Sequence, residues 1–220
     1  VLGYAYLVSN SPKEALGAFQ SELELIRELK DENLSYILPS YVANFTELAN
    51  AAFYMNDNAL ALAYSDSIRF YLGKYPENID ITDLLITSDI ISFNTLIEMN
   101  KLDEAKPFIE RLKSYCNSIN EEDNSQVCYD VKSSLANYYL RTKDYNSALN
   151  FINEVIGYYT LTSNHDFNYY SAKDLMSEIL AARGQFEMAF SLKTEVLAYQ
   201  DSMAHKNATR QLSEMHTIYQ

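Results

Sequence analysis

Tryptophan is absent from this sequence of 220 residues, and glycine and proline are scarce, with five and four copies. The long stretches between the glycines and prolines leave little room for the tight turns that separate β-strands. The hydrophobic content of 48% is nevertheless high enough for a folded core. The composition therefore predicts a helical protein and excludes wholesale disorder.

Positive charge is also in short supply. Seventeen Lys and Arg stand against thirty Asp and Glu, which gives a formal net charge of −13. This charge repels phosphate backbones and anionic lipid headgroups, so we expect no direct binding of nucleic acid by this region. No stretch approaches the roughly eighteen consecutive apolar residues of a membrane span, so contact with a membrane would need a segment beyond Gln220.

A pattern of helix, turn and helix recurs along the chain. In each copy an alanine follows a short polar turn and opens an amphipathic helix; these pattern alanines are Ala15, Ala61, Ala105, Ala148 and Ala189. Five residues before them stand Asn10, Asn56, Asn100, Lys143 and Gly184, and Asn and Gly tolerate the left-handed conformation that closes a helix. The pattern predicts a single helical repeat domain with units at about 1–30, 33–75, 80–118, 125–161 and 167–200, and an extension of the last helix over 200–220.

The residues around two of these turns are similar to a known repeat. The first copy holds Leu2, Gly3, Tyr6, Asn10, Ala15 and Phe19, and the fourth holds Leu135, Ala136, Tyr139 and Ala148. On these residues the chain resembles the tetratricopeptide repeat (TPR) family. The resemblance implies an all-α solenoid of about five antiparallel helix pairs, in which a small residue lets two helices approach closely and the stacked pairs leave faces for partners. The third copy departs from the pattern, with Ser92 and Phe93 where Leu and a small residue are expected.

The same resemblance implies a binding surface. In the TPR family the residue eleven positions before the pattern alanine faces the inner groove, and here that residue is Tyr4, Asn50, Asn94, Asn137 or Glu178. Because a carboxamide both donates and accepts hydrogen bonds, a ladder of Asn suits the main chain of an extended peptide. We expect Asn50, Asn94, Asn137 and Glu178, with Tyr54 and Asp174, to contact a protein, a peptide or a small ligand. The alternative is that these residues are simply solvated.

The negative charge of Asp174 and Glu178 argues against one kind of ligand. The TPR proteins that hold a free C-terminal carboxylate use lysines and arginines at groove positions, and such residues are not evident here. A free C-terminal carboxylate is therefore not the expected ligand.

The two cysteines, Cys116 and Cys128, stand on either side of a polar loop between two repeats. This placement allows them to face one another across antiparallel helices and form a disulfide. Such a bond would stabilise the fold by about 3 kcal/mol in the chain-entropy treatment, and it would indicate an oxidising compartment such as the periplasm. The alternative is two buried thiols, which would be compatible with the cytoplasm.

Catalytic and cofactor motifs are not found in the sequence. It has no phosphate loop, no Gly-rich dinucleotide turn and no nucleophile elbow. His165, His205 and His216 lack the spacing of metal ligands. We therefore predict a binding domain that is not an enzyme and uses no cofactor or metal.

The last helix is predicted to run from about Gln185 to the end, because this stretch contains neither Gly nor Pro. Ala208, Leu212, Met215 and Tyr219 step by four, three and four residues, which predicts a short coiled-coil-like seam and a dimer through this helix. The alternative is a solvated capping helix.

The end of the chain also resembles the end of the repeat regions in Bacteroidetes-type sensor proteins; the matching residues are Tyr199, Asp201, Ser202, Leu212, Glu214 and Tyr219. This resemblance implies the sensory region of a membrane-bound histidine kinase, as in two-component systems, or of a transcriptional regulator. A constitutive scaffold for assembling other proteins is the alternative. Aligned on Ala15, the chain enters its first repeat at the sixth position, so we expect it to be part of a larger protein.

Overall fold

The structure is a computed structural model, described here for residues 3, 6, 11–29, 34–119 and 126–218. In these ranges the regular structure is entirely helical. The helices are α1 (Pro12–Glu28), α2 (Leu34–Tyr54), α3 (Asn58–Leu72), α4 (Thr82–Glu98), α5 (Leu102–Ser118), α6 (Gln126–Arg141), α7 (Tyr145–Leu161), α8 (Phe167–Ala182) and α9 (Phe186–Ile218). The predicted all-α fold class is confirmed. Within the same ranges, no helix combines the length and the apolar character that crossing a membrane requires.

The chain divides into two compact units, 1–134 and 135–220. In the first unit α1 packs on α2, α2 on α3, α3 on α4 and α4 on α5, and α2 also contacts α4. In the second unit α7 packs on α8 and α8 packs on α9. There the ring of Tyr139, on α6, stacks on Phe151 of α7 with centroids 5.8 Å apart. Contacts between consecutive helices are the packing expected of stacked helix pairs.

Four turns inside the helix pairs share one backbone geometry. Their residues with positive φ are Asn56, Asn100, Lys143 and Gly184, at 59°, 56°, 65° and 80°. In each turn the following amide donates a hydrogen bond to the carbonyl five residues earlier, which is the Schellman motif that ends a helix. These predicted turn positions are confirmed, and Asn10 lies outside the described residues.

The repeat alanines are buried between the helices. Ala15, Ala61, Ala105 and Ala148 have no exposed surface, and Ala189 is 7% exposed. The small position of the first copy is just as tight, because a Cβ atom placed on Gly3 would lie 2.5 Å from the ring of Phe19. Any side chain there would push that ring aside. The close approach predicted for the small residue is confirmed in this copy.

The third copy departs from the repeat at two neighbouring positions, with a small side chain where a large one is expected and a large one where a small one is expected. Phe93 is fully buried and contacts the ring of Phe108 on α5, with centroids 6.3 Å apart. Ser92 is also buried, and its hydroxyl lies 2.8 Å from that of Ser65 on α3. The large side chain therefore fills space within the α4/α5 pair, and the small one lets α4 approach the preceding pair.

Candidate functional site

The predicted binding surface in the first unit lies on α2 and α4, which contact each other. Asn50 on α2 and Asn94 on α4 are both half-buried, and each stands eleven residues before a pattern alanine. Tyr54 follows Asn50 by one helical turn, on the same face of α2, and it is 54% exposed. The structure thus places two carboxamides in the same register on neighbouring helices, with an exposed tyrosine on the face that carries Asn50.

Asn94 differs from an ordinary surface asparagine. Its Oδ1 atom is buried and has no hydrogen-bond partner within the described part of the chain. An unpaired buried acceptor costs about 1–3 kcal/mol, because the group has left water without a replacement donor. The side chain would therefore gain from a donor that approached it.

Asn44 shows the contrasting, structural use of the same side chain. It is buried, and its Nδ2 donates to the carbonyl oxygen of Phe19 at 3.0 Å, which ties α2 to α1. Its Oδ1 is also buried without a partner among the described residues. Because its amide group already joins two helices, we assign Asn44 to the packing of the fold.

The second unit holds the other three predicted residues. Asn137 on α6 is half-buried, and Glu178 on α8 is exposed. Asp174, one turn before Glu178, forms an ion pair with Lys193 of α9. Asp174 is therefore already engaged in holding α8 to α9, whereas Glu178 presents its carboxylate to solvent. Tyr4, the groove-position residue of the first copy, lies outside the described residues.

A charged cluster that the sequence did not predict joins α3, α4 and α5. Asp89 on α4, whose side chain is only 10% exposed, accepts from Arg69 Nη2 at 2.7 Å and from Arg111 Nε at 2.8 Å. The guanidinium carbons of Arg69 and Arg111 lie 5.5 and 4.9 Å from the centre of the Phe108 ring. The hydrogen bond to Asp89 raises the pKa of Arg111 further above its usual value. Two guanidinium groups share one carboxylate, so the cluster carries one positive charge in excess.

Three serines extend this cluster into the α3/α4 interface. The Ser65 hydroxyl lies 3.1 Å from that of Ser88 and 2.8 Å from that of Ser92, and all three residues are buried. Arg69 also donates to the Ser92 hydroxyl at 3.3 Å. In the sequence, the only sign of this network is that α4 carries polar residues within an otherwise apolar stretch. Ser92, where the third copy departs from the repeat pattern, is one of them.

A cleft of about 460 Å³ opens between α4 and α5 beside the charged cluster. It is lined by Thr82, Ile86, Glu110, Arg111, Ser114, Tyr115 and Ser118. At its side the Tyr115 hydroxyl donates to Asp83 Oδ1 at 2.7 Å. The lining offers hydroxyls and both signs of charge. No group of His, Cys, Asp and Glu in the described ranges is arranged to hold a metal ion.

The two cysteines join α5 to α6 in the first unit. Cys116 and Cys128 are paired as a disulfide, and their Cα atoms are 5.2 Å apart. This separation is normal for a disulfide. The Cα separation permits the bridged alternative, which stays a prediction for the native protein.

Solved structures of helical repeat proteins resemble this chain. Two crystal structures of a protein of Podosopora anserina, described as a putative kinesin light chain with nearly identical TPR-like repeats, are 16% identical to it. One of them, a point variant, has a TM-score of 0.55 over 93% of each chain, and the other has 0.53 over 91% of this chain and 92% of that one.

A third solved structure, BtubC (BKLC) from P. vanneervenii, is 15% identical, with a TM-score of 0.63 over 87% of this chain and 74% of that one. No protein-family model and no curated protein matches the sequence. At these identities the likeness concerns the fold, and the fold of this chain is that of a TPR-like helical repeat solenoid.

Proposed function

We propose that this chain is a non-catalytic protein-binding domain that holds an extended peptide against α2 and α4. The observation that carries the proposal is Asn94, whose buried Oδ1 lacks a partner among the described residues and which repeats the register of Asn50 on the neighbouring helix. The main chain of an extended peptide presents N–H and C=O groups in alternation, and both pair well with carboxamides. A peptide N–H would supply the donor that Asn94 lacks after a rotation of this half-buried side chain that brings Oδ1 to the surface.

Charge favours a peptide with basic side chains. The chain carries a net charge of −13. Glu47 lies one turn before Asn50 on α2, and burial, assisted by the charge of Glu22, raises the pKa of the Glu47 carboxyl. A Lys or Arg of the ligand near Glu47 would relieve this unfavourable placement of a carboxylate. We therefore expect extended, basic peptides to bind better than acidic ones of the same length.

The proposal is tested with a displayed library of random peptides, followed by fluorescence polarisation of the enriched peptides. Asn94→Leu should weaken their binding by about tenfold, because a hydrogen-bonding partner is lost. The same change should leave the melting temperature equal or higher, because it removes an unpaired buried acceptor. Loss of binding without loss of stability would separate a binding role from a structural one.

Asn150→Leu is the matched control, because Asn150 is exposed on α7, in the second helix of a pair. It should change neither binding nor stability. Enriched peptides that bind wild type, Asn50→Leu and Asn94→Leu equally well would refute the proposed surface. Enrichment of acidic peptides only would refute the preference for basic ligands.

We also propose that this chain is the sensory region of a membrane-bound histidine kinase or transcriptional regulator. The support is the C-terminal sequence resemblance and the length of α9, which has 33 residues where α2 has 21 and α3 has 15. Peptide binding would bias the population between two packings of the helices, and α9 would pass that change onward. Sequencing the gene beyond Gln220 tests this role: a membrane span followed by a signalling domain is expected, and a stop codon at that point would favour the constitutive scaffold.

We further propose that the Cys116–Cys128 bond exists in the native protein and that the domain lies outside the cytoplasm, in the periplasm. Alkylation of the purified native protein without reductant should add no label, as measured by intact mass. Addition of two labels would overturn the disulfide and favour a cytoplasmic location.

A further inference from the structure

One face of α9 is apolar and exposed. Phe186, Phe190 and Leu197 are 70%, 75% and 50% exposed. Together with four more exposed residues, spaced by three or four along the helix, they form what we call the α9 stripe: Phe186, Phe190, Lys193, Leu197, Asp201, Ala204 and Ala208. Two phenylalanines and a leucine on one exposed helix face commonly mark an interaction site.

The equivalent face of α7 indicates what kind of element fits the stripe. The positions of Phe186, Phe190, Lys193 and Leu197 correspond, 41 residues earlier, to Tyr145, Leu149, Ile152 and Ile156. Ile152 has no exposed surface, the other three are half-buried, and α7 packs against α8. In the preceding helix pair this apolar face is therefore covered by another helix. Within the described residues no helix covers the α9 stripe in this way.

The stripe is complementary to itself about Leu197. The residues four, seven and eleven positions before Leu197 are Lys193, Phe190 and Phe186, and those at the same distances after it are Asp201, Ala204 and Ala208. When two identical helices pack antiparallel around a two-fold axis at Leu197, each residue before it faces the residue equally far after it on the other copy. Lysine then faces aspartate, each phenylalanine faces an alanine, and Leu197 faces itself.

We propose that α9 pairs antiparallel with α9 of a second copy of this chain, with Leu197 on the two-fold axis. Burying four phenylalanine side chains over alanines would remove apolar surface from water without steric conflict. Lys193 contacts Asp174 of its own chain, and its ammonium has further hydrogens for Asp201 of the second copy.

In a parallel pair of α9 helices, each residue of the stripe would face the same residue of the other copy. Lys193 would face Lys193 and Asp201 would face Asp201, and the phenylalanines would meet each other rather than alanines. Repulsion between like charges and the crowding of large side chains therefore select the antiparallel direction. The predicted seam of Ala208, Leu212, Met215 and Tyr219 shares Ala208 with this surface. The side chains of Leu212 and Met215, and Tyr219 as a whole, lie outside the described residues, so the stripe alone carries the pairing.

Sedimentation velocity of the 1–220 chain at physiological salt tests the pairing. We expect a dimer that dissociates on dilution. Leu197→Asp should raise the dissociation constant by at least about tenfold, because it places two carboxylates on the axis. Asp201→Lys should weaken the dimer less. Ala198→Asp is the matched control, because Ala198 is an exposed alanine of the same helix that lies off the stripe, and it should leave the dimer unchanged.

A chain that stays monomeric up to a concentration on the order of 1 mM, or a dimer that Leu197→Asp leaves intact, would overturn the pairing. Circular dichroism on each variant verifies that the helices persist. The result is independent of the peptide-binding proposal, since neither α2 nor α4 contributes to the stripe.

Cysteine cross-linking tests the direction. An equal mixture of Phe190→Cys and Ala204→Cys proteins should give an intermolecular disulfide under mild oxidation, whereas neither variant alone should do so. The wild-type chain, which retains Cys116 and Cys128, is the reference for background. Cross-linking of either variant with itself, as a parallel pair would give, would overturn the antiparallel arrangement.

Discussion

Two interfaces between neighbouring helix pairs use opposite chemistry. The fourth residue after the pattern alanine is Ser65 in α3 and Ile152 in α7, and neither has exposed surface. Around Ser65 the α3/α4 interface is built from hydroxyls, Asp89 and Arg69. In the second unit the buried residues of α7 and α8 include Ile152 and the edge-on rings of Tyr159 and Tyr169. The repeat geometry therefore decides which positions are buried. The local sequence decides whether the buried contact is made by hydrogen bonds and ion pairs or by apolar packing.

The largest expected effect is on the apolar interface. Ile152→Ala should lower the free energy of unfolding by about 3 kcal/mol, because three buried carbons are removed and a cavity remains. Urea unfolding monitored by circular dichroism measures the change. Leu161→Ala, at a site that is 87% exposed, serves as the control and should change little. A loss at Ile152 no larger than the control would mean that the second interface is not tightly packed.

In the polar interface, the carboxylate of Asp89 is the group whose loss should lower the free energy of unfolding most. Asp89→Asn should lower the free energy of unfolding by about 2 kcal/mol, because Arg69 and Arg111 lose their shared counter-charge. The effect stays below that of a fully buried pair, since both arginines are partly exposed to water. Asp66→Asn changes an exposed carboxylate on α3 and should be nearly neutral. Equal effects at the two sites would show that the cluster contributes no more than surface charge.

The serines should behave as a unit. Ser65→Ala should cost about 1 kcal/mol, because it leaves Ser88 and Ser92 short of a partner. Replacing all three serines by Ala should cost less than the sum of the single changes, since no buried hydroxyl then remains unpaired. Strictly additive losses in the same urea assay would contradict the view that the three hydroxyls stabilise the interface by pairing with one another.

The smallest expected effect concerns a carboxylate that opposes folding. Burial raises the folded-state pKa of Glu47, so ionisation of this group above that pKa disfavours the folded state. Glu47→Gln should therefore raise the melting temperature at about pH 7, and the gain should vanish as the pH falls through the folded pKa to about 4. A gain that is equal at both values would assign the effect to packing rather than charge.

The features that depend on local signals could be predicted from the sequence. The turn residues Asn56, Asn100 and Gly184 are types that tolerate positive φ, and even Lys143 is located by its spacing from Ala148. The structure adds that α2 begins at Leu34 and continues through Pro39. A proline near the first turns of a helix weakens the local signal without ending the helix.

The candidate site was only partly accessible to sequence reasoning. The register of Asn50 and Asn94 follows from counting back from the alanines, but the unpaired atom of Asn94 depends on neighbours that only the fold supplies. The cluster of Arg69, Asp89 and Arg111 joins residues 20 and 22 positions apart on three helices. Polar residues on helices are usually solvated, so a one-dimensional pattern cannot distinguish this buried network from a surface.

The length of α9 has a mechanical consequence. Within the described part of the chain, its last ring contact with α8 is the stack of Tyr199 on Tyr170, with centroids 4.0 Å apart. From there to Ile218 the helix continues for about 30 Å at 1.5 Å per residue. A tilt of only about 5° at the base would move the far end by about 2–3 Å, roughly half a helical pitch. In the proposed sensory role, the second half of α9 would act as a lever arm, which converts a repacking too small to disturb the core into a larger displacement at the far end of the helix.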